Sequence, residues 1–132
     1  MTLRSRFILI IIFTLIVFGV DMLANRLYLY WTYSWFDSMM HFVGGVIGGY
    51  LVLLLIAMYK AGSPQEETKK VKFYTPRPYQ AFLGALAIGI IWEVAEFTLH
   101  ISRYSPHFLQ DTASDLLFDF VGGVVAYILW II

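Results

Sequence analysis

Residues 7–20 read FILIIIFTLIVFGV, an apolar run relieved only by Thr14 and Gly19. A helix rises about 1.5 Å per residue, so crossing a hydrocarbon layer takes about 20 mostly apolar residues. Continued to Tyr30, this segment is long enough. Three further stretches qualify, 37–59, 78–101 and 112–132. Between the second and third lies 60–76, with AGSPQEETKK and then TPRP, the one clear polar loop. Residues 34–36 and 102–110 are short connections. Trp31, Tyr33, Trp35 and Phe36 near one end, and Tyr104 and Phe108 near another, suit the aromatic belts of a membrane interface. The expected fold is all-α: a polytopic membrane protein, one domain over residues 1–132, built as a four-transmembrane-helix bundle.

Composition points the same way. Of 132 residues, 60% are hydrophobic and 14% charged, against about 25% charged in soluble domains. Disorder demands the opposite balance, and a nucleic-acid binder needs a basic surplus that is missing here. The absence of cysteine excludes disulfides, zinc–thiolate centres and a thiol nucleophile. Arg4 and Arg6 ahead of an apolar run imitate a secretory signal. The following GVDMLANRLYLYW has no small-x-small cleavage site, however, so an uncleaved first helix is expected.

Four spans place both termini and the 60–76 loop on one side. That side holds seven of the nine Lys and Arg: Arg4, Arg6, Lys60, Lys69, Lys70, Lys72 and Arg77. The positive-inside rule makes it the cytoplasm, giving an N-in/C-in protein, expected in a bacterial plasma membrane. The carboxylates divide the other way. Only Glu66 and Glu67 fall in the cytoplasmic loop. Asp21, Asp37, Glu93, Glu96, Asp111, Asp115 and Asp119 lie in the spans or at their outer ends. A net charge of zero thus hides a surplus of five positive charges on one side and five negative on the other.

An ionisable residue within a span costs roughly 2.5–3.5 kcal/mol on insertion scales, so a group of them needs shared compensation. Asp37 and His41 are four apart, Glu93 and Glu96 three apart, and Asp111, Asp115 and Asp119 form an i, i+4, i+8 stripe; each set shares a helix face. At about 1.5 Å per residue, all sit at similar depths in the outer half. Hard oxygen donors with an imidazole suit a divalent ion, Mg²⁺, Mn²⁺ or Ca²⁺ before Zn²⁺. The expected metal set is His41, Glu93, Glu96, Asp115 and Asp119, with Asp37 and Asp111 at the rim. Simpler roles compete with this one. Asp37 could be an N-cap, Thr112-x-x-Asp115 fits a capping box, and Asp21 could pair with Asn25 or Arg26. His100 and His107 suit an interface. Gly44-Gly45, Gly48-Gly49, Gly84 and Gly122-Gly123 read as close helix packing.

The elements DSMMHFVGG (37–45), WEVAEF (92–97) and DTASDLLFDFVGG (111–123) occur in this order on successive spans. In this the chain resembles the VanZ-like proteins and related small bacterial inner-membrane proteins, from Asp37 to the C-terminus. Those share an Asp-x-x-x-His-Phe element, a Glu-x-x-Glu or Glu-x-x-Gln element and a final acidic element leading to glycine. The resemblance implies a membrane protein of largely undefined activity, with a link to glycopeptide-antibiotic resistance in the founding member.

Functionally, the acidic cluster supports a metal-dependent membrane hydrolase or transferase opening to the outer face. Glu93 or Glu96 would be the general base, and the substrate class a lipid or lipid-linked envelope precursor arriving through the bilayer. The alternatives are a cation or proton transporter or channel, and a structural or accessory bundle whose acids form a buried network. Nothing in the sequence indicates an oligomeric state.

Overall fold

The Thr2 side chain accepts a hydrogen bond from the Ser5 backbone N–H at 3.1 Å, satisfying an otherwise orphaned donor at a helix start. Helix α1 therefore begins at Leu3, ahead of the expected span, and runs to Arg26. It stops there because Tyr28 is left-handed (φ 58°, ψ 31°), a conformation costing roughly 1–2 kcal/mol outside glycine. The reversal starts the one-turn helix α2 (Leu29–Thr32), which carries Tyr30 back so that its hydroxyl donates to Asp21. Helices α3 (Phe36–Ala61), α4 (Pro78–Leu99) and α5 (Phe108–Ile131) complete the fold. This computed structural model describes residues 2–61, 76–99 and 108–132, and within its helices all side chains except those of Glu96, Leu99 and Phe108. Among the described residues there is no strand, and α1, α3, α4 and α5 are each long and apolar enough to cross a membrane. The chain is an all-α, four-span bundle.

Helix α3 is the hub, packed against α5, α4 and α1. The contacts depend on missing side chains. A Cβ on Gly45 would collide with the Asp119 backbone, and one on Gly122 with the Phe42 carbonyl. A Cβ on Gly49 would lie 3.0 Å from Ala126 Cβ, 3.1 Å from the Ala81 carbonyl oxygen and 3.2 Å from Gly123 Cα. In lipid, where burying apolar surface gains little between helices, such close backbone approach supplies the dispersion contacts that hold them together.

The small residues belong to rows spaced by four. On α3 the row is Asp37, His41, Gly45, Gly49, Leu53, Ala57; on α4 it is Ala81, Ala85, Gly89, Glu93; on α5 it is Asp115, Asp119, Gly123. The α3 and α4 rows are small through their middles, the α5 row passes from Asp119 directly to Gly123, and all three carry their ionisable residues toward the same end of the bundle. The i±4 ridges that interlock helices are therefore the ridges that carry the acids.

The opposite end is closed by apolar packing among Ile10, Leu53, Leu54, Ala57, Ala81 and Trp130. Arg6 fastens α1 there. Its guanidinium donates to Tyr50 Oη at 3.1 Å and to the Trp130 carbonyl at 3.2 Å, and lies 4.6 Å from the Trp130 ring centroid. That contact puts the two ends of the chain at the same end of the bundle.

Substituting Gly49→Val should separate α3 from α4 and α5 and cost about 1–3 kcal/mol. Gly19→Ala, where a Cβ meets nothing within 4 Å, should leave stability unchanged or slightly raised. Thermal unfolding of both variants in detergent micelles, followed by helical circular dichroism, checks the pair.

Candidate functional site

His41 lies one turn inside α3 and is 4% exposed. Its Nδ1 is 3.0 Å from Asp119 Oδ2. An ionised carboxylate only accepts, so Nδ1 carries the proton and donates. On the other side of the ring, Nε2 faces Glu93 Oε1 at 3.6 Å and Asp37 Oδ1 at 3.9 Å. Neither distance is a hydrogen bond. Nε2 is buried and has no hydrogen-bond partner among the described residues.

Asp119 is 1% exposed, the most deeply buried acid described here. Its place is cut by glycine: a Cβ on Gly89 of α4 would overlap the Asp119 carboxylate, just as one on Gly45 would overlap its backbone. Asp115, one turn earlier on α5, is 3% exposed and accepts from Ser38 Oγ at 3.1 Å. Glu93 is half-buried and accepts from Thr112 Oγ1 at 3.0 Å through Oε2. Three carboxylates thus each have a donor at one oxygen, and Glu93 keeps the other toward His41.

One donor atom from each of Asp37, His41 and Asp115 lies within 4.8 Å of the other two. Ligand bonds of about 2.0–2.4 Å hold neighbouring donors roughly 3–3.5 Å apart, a difference within reach of side-chain rotation. The donor chemistry also fits. An imidazole nitrogen and several carboxylate oxygens stand together, and no Lys or Arg is ion-paired with them among the described residues. The Asp119–His41 hydrogen bond is the arrangement by which a carboxylate commonly fixes the tautomer of a metal-binding histidine.

The structure brings together Asp37, His41, Glu93, Asp115 and Asp119 from three helices. Asp111 is exposed in the first turn of α5. Glu96 lies on α4, but its side chain falls outside the described residues, as do His100 and His107. Two capping alternatives are corrected. Helix α3 starts at Phe36, so Asp37 is inside its first turn and is not the cap. Helix α5 starts at Phe108, a turn ahead of the expected start, so Thr112 is interior and its hydroxyl serves Glu93. Asp21 accepts from Tyr30 and from Asn25 Nδ2 at 3.3 Å; Asn25 was an expected partner, Tyr30 was not.

Ser38 and Gly89 were not singled out in the sequence, and Thr112 was expected only as part of a capping box, not as the partner of Glu93. The row Ala81, Ala85, Gly89, Glu93 could have revealed Gly89, since it leads from small residues directly to an acid. The hydroxyls had no comparable signal, because serine and threonine near helix starts are commonplace.

Beside this cluster is a cavity of about 180 Å³. It lies between α1, α3 and α4, with His41 and Asp119 on its wall and Asp21 and Tyr30 also lining it. The rest of its lining is largely apolar.

An uncharacterized protein of Thermotoga maritima is 29% identical over 114 residues, covering 80% of this chain and 53% of the relative. The chain therefore spans about half the length of that relative. No solved structure matches. Residues 2–132 match a family described as a predicted membrane protein, DUF2238, in keeping with the expected family of small membrane proteins. Over essentially its whole length, this multi-pass membrane protein belongs to the DUF2238 family.

Proposed function

We propose that the protein holds a divalent cation within the membrane, ligated by His41 Nε2 and the carboxylates of Asp37 and Asp115, with Glu93 beside it. The observation that carries this reading is the buried, unpartnered His41 Nε2 facing those acids. A buried nitrogen without a partner costs roughly 1–3 kcal/mol, and clustered carboxylates in a span add a larger penalty. A cation removes both costs at once. Asp119 is a positioning residue, holding the imidazole in the tautomer that presents Nε2.

The fold places this site at the end of the bundle away from Arg4, Arg6, Lys60 and Arg77. With the positive-inside rule, both termini are cytoplasmic and the site opens toward the outer face of a bacterial plasma membrane. A divalent ion there supplies Lewis acidity and acidifies a water molecule. Glu93, with one oxygen held by Thr112 and the other turned to the site, is the group placed to take a proton. The reading is therefore a metal-dependent hydrolase or transferase acting on a lipid or lipid-linked precursor. The order of motifs shared with VanZ-like proteins supports treating the same residues as one site. A transport pathway is disfavoured by the other end of the bundle, where Leu53 and Leu54 are fully buried in apolar packing.

Protein purified without chelator should carry about one divalent ion per chain by elemental analysis, following the single imidazole of the site. His41→Ala and Asp115→Asn should lose it, and Asp119→Asn should weaken retention by about 10–100-fold. Asp111→Asn should remain near wild type. Chelation should lower the melting temperature by about 10 °C, the equivalent of about 2.7 kcal/mol if the ion is present at a hundred times its Kd. Metal-free wild type with chelator-insensitive melting would end this reading.

Because the chain has no cysteine, single introduced cysteines report topology directly. Tyr33→Cys should react with a membrane-impermeant maleimide on intact expressing cells, and Thr2→Cys only after permeabilisation. The reverse pattern would invert the orientation.

A further inference from the structure

The cavity beside His41 is not lined by Asp37, Asp115 or Glu93, and its position gives it a distinct role. Its walls are Val17 and Phe18 of α1, Met40 and Ile47 of α3, and Ile88 and Trp92 of α4. These helices do not close over it. Helix α1 packs on α3 and α2, held by Arg6 at one end and by the Asp21–Tyr30 hydrogen bond at the other. Phe18 is 60% exposed, Trp92 45% and Ile88 41%. Residues that line the cavity are thus also on the surface that faces the hydrocarbon. Exposed Phe18 of α1 and exposed Ile88 and Trp92 of α4 border the cavity on those two sides.

The space and its lining define what enters. Dry apolar cavities of about 150 Å³ accommodate a molecule the size of benzene; about 180 Å³ takes a short length of hydrocarbon chain and not a whole lipid. The Thr14 hydroxyl, also on the wall, is already committed to the Ile10 carbonyl at 2.8 Å, so the α1 wall offers no free donor there. Polar groups gather where His41 and Asp119 meet the cavity, and Asp21 and Tyr30 add a second polar patch. The species that surrounds this opening in greatest excess is the acyl chain of a membrane phospholipid.

We propose that this cavity is a lateral seat for one acyl chain of a bilayer phospholipid, entering between α1 and α4 and bringing the attached polar group to His41 and Asp119. This rests on the proposed metal-dependent reading for its functional meaning, and it specifies how a lipid substrate is held. Gly44 lies on the cavity wall, and a Cβ there meets nothing within 4 Å. Gly44→Leu should therefore fill the seat without disturbing the bundle.

The test is photolabelling of the full-length protein in vesicles containing a phosphatidylglycerol with a diazirine in its acyl chain, with adducts located by mass spectrometry. Met40 and Ile47 should be labelled at a level comparable to the exposed α1 residues Leu15 and Ile16. That level should be roughly tenfold above Leu53 and Leu54, which are fully buried and stand for chain-inaccessible positions. Gly44→Leu should bring Met40 and Ile47 down to the Leu53 level while melting as wild type does. Labelling of Met40 and Ile47 at the Leu53 level in the wild type overturns the proposal. So does labelling that persists in a correctly folded Gly44→Leu protein, or that is abolished in the wild type by an equal amount of polyprenyl phosphate, which would assign the seat to a prenyl chain. Metal content measured on the same samples separates the two readings. Bound metal without labelling of Met40 and Ile47 overturns the acyl-chain seat alone. Such labelling without bound metal supports the seat and overturns the metal site alone.

Discussion

The approach of α3 to α5 at Gly45 and Gly122 is the constraint from which the rest of the structure follows. At these positions backbone meets backbone, and a single methyl group on either side would force the helices apart. With α3 and α5 this close, the Asp119 carboxylate comes within hydrogen-bonding distance of His41. Gly89 then allows α4 to close over the same carboxylate. A charged group in a span must find a partner or water, and here the glycine seam delivers the partner. On α3 and α4, packing and polar site are two stretches of the same i, i+4 rows.

This shared register gives the bundle two unlike ends. At one end the rows finish in Leu53 and Ala57 against Ile10, Ala81 and Trp130, with Arg6 drawn over the Trp130 ring. At the other they finish in Asp37, His41, Glu93 and Asp115. Hydroxyls from Ser38 and Thr112 occupy individual carboxylate oxygens, and the imidazole Nε2 between them is left without a hydrogen-bond partner among the described residues. Helix α1 is set apart from this symmetry. Most of its side chains are exposed along its length, and it is fastened chiefly near its ends. The space left beside it is what connects the buried polar cluster to the surrounding hydrocarbon.

The spans, the charge asymmetry and the acidic rows were legible in the sequence because each depends on local spacing. Twenty apolar residues declare a span whatever their neighbours do, and Asp111, Asp115 and Asp119 share a face in any α-helix. The local readings that failed were those at helix ends. Thr112 and Asp37 have the chemistry of caps, yet Phe108 and Phe36 begin their helices earlier, which places both inside. Asp21 was expected to find a partner within its own helix and also found Tyr30, delivered by a left-handed Tyr28 that no sequence rule singles out.

What the amino-acid order determined by itself is the class of structure: four apolar helices, their order along the chain, and the faces on which small and acidic residues recur. These follow from the period of the helix and the thickness of the layer it crosses. What only the tertiary structure decided is which of those faces meet and in what rotation. That determined that Asp119 serves His41, that Glu93 pairs with Thr112, and that α1 leaves a cavity beside them. Such choices depend on distances of an ångström between helices far apart in the chain, set by where glycine lets two backbones touch.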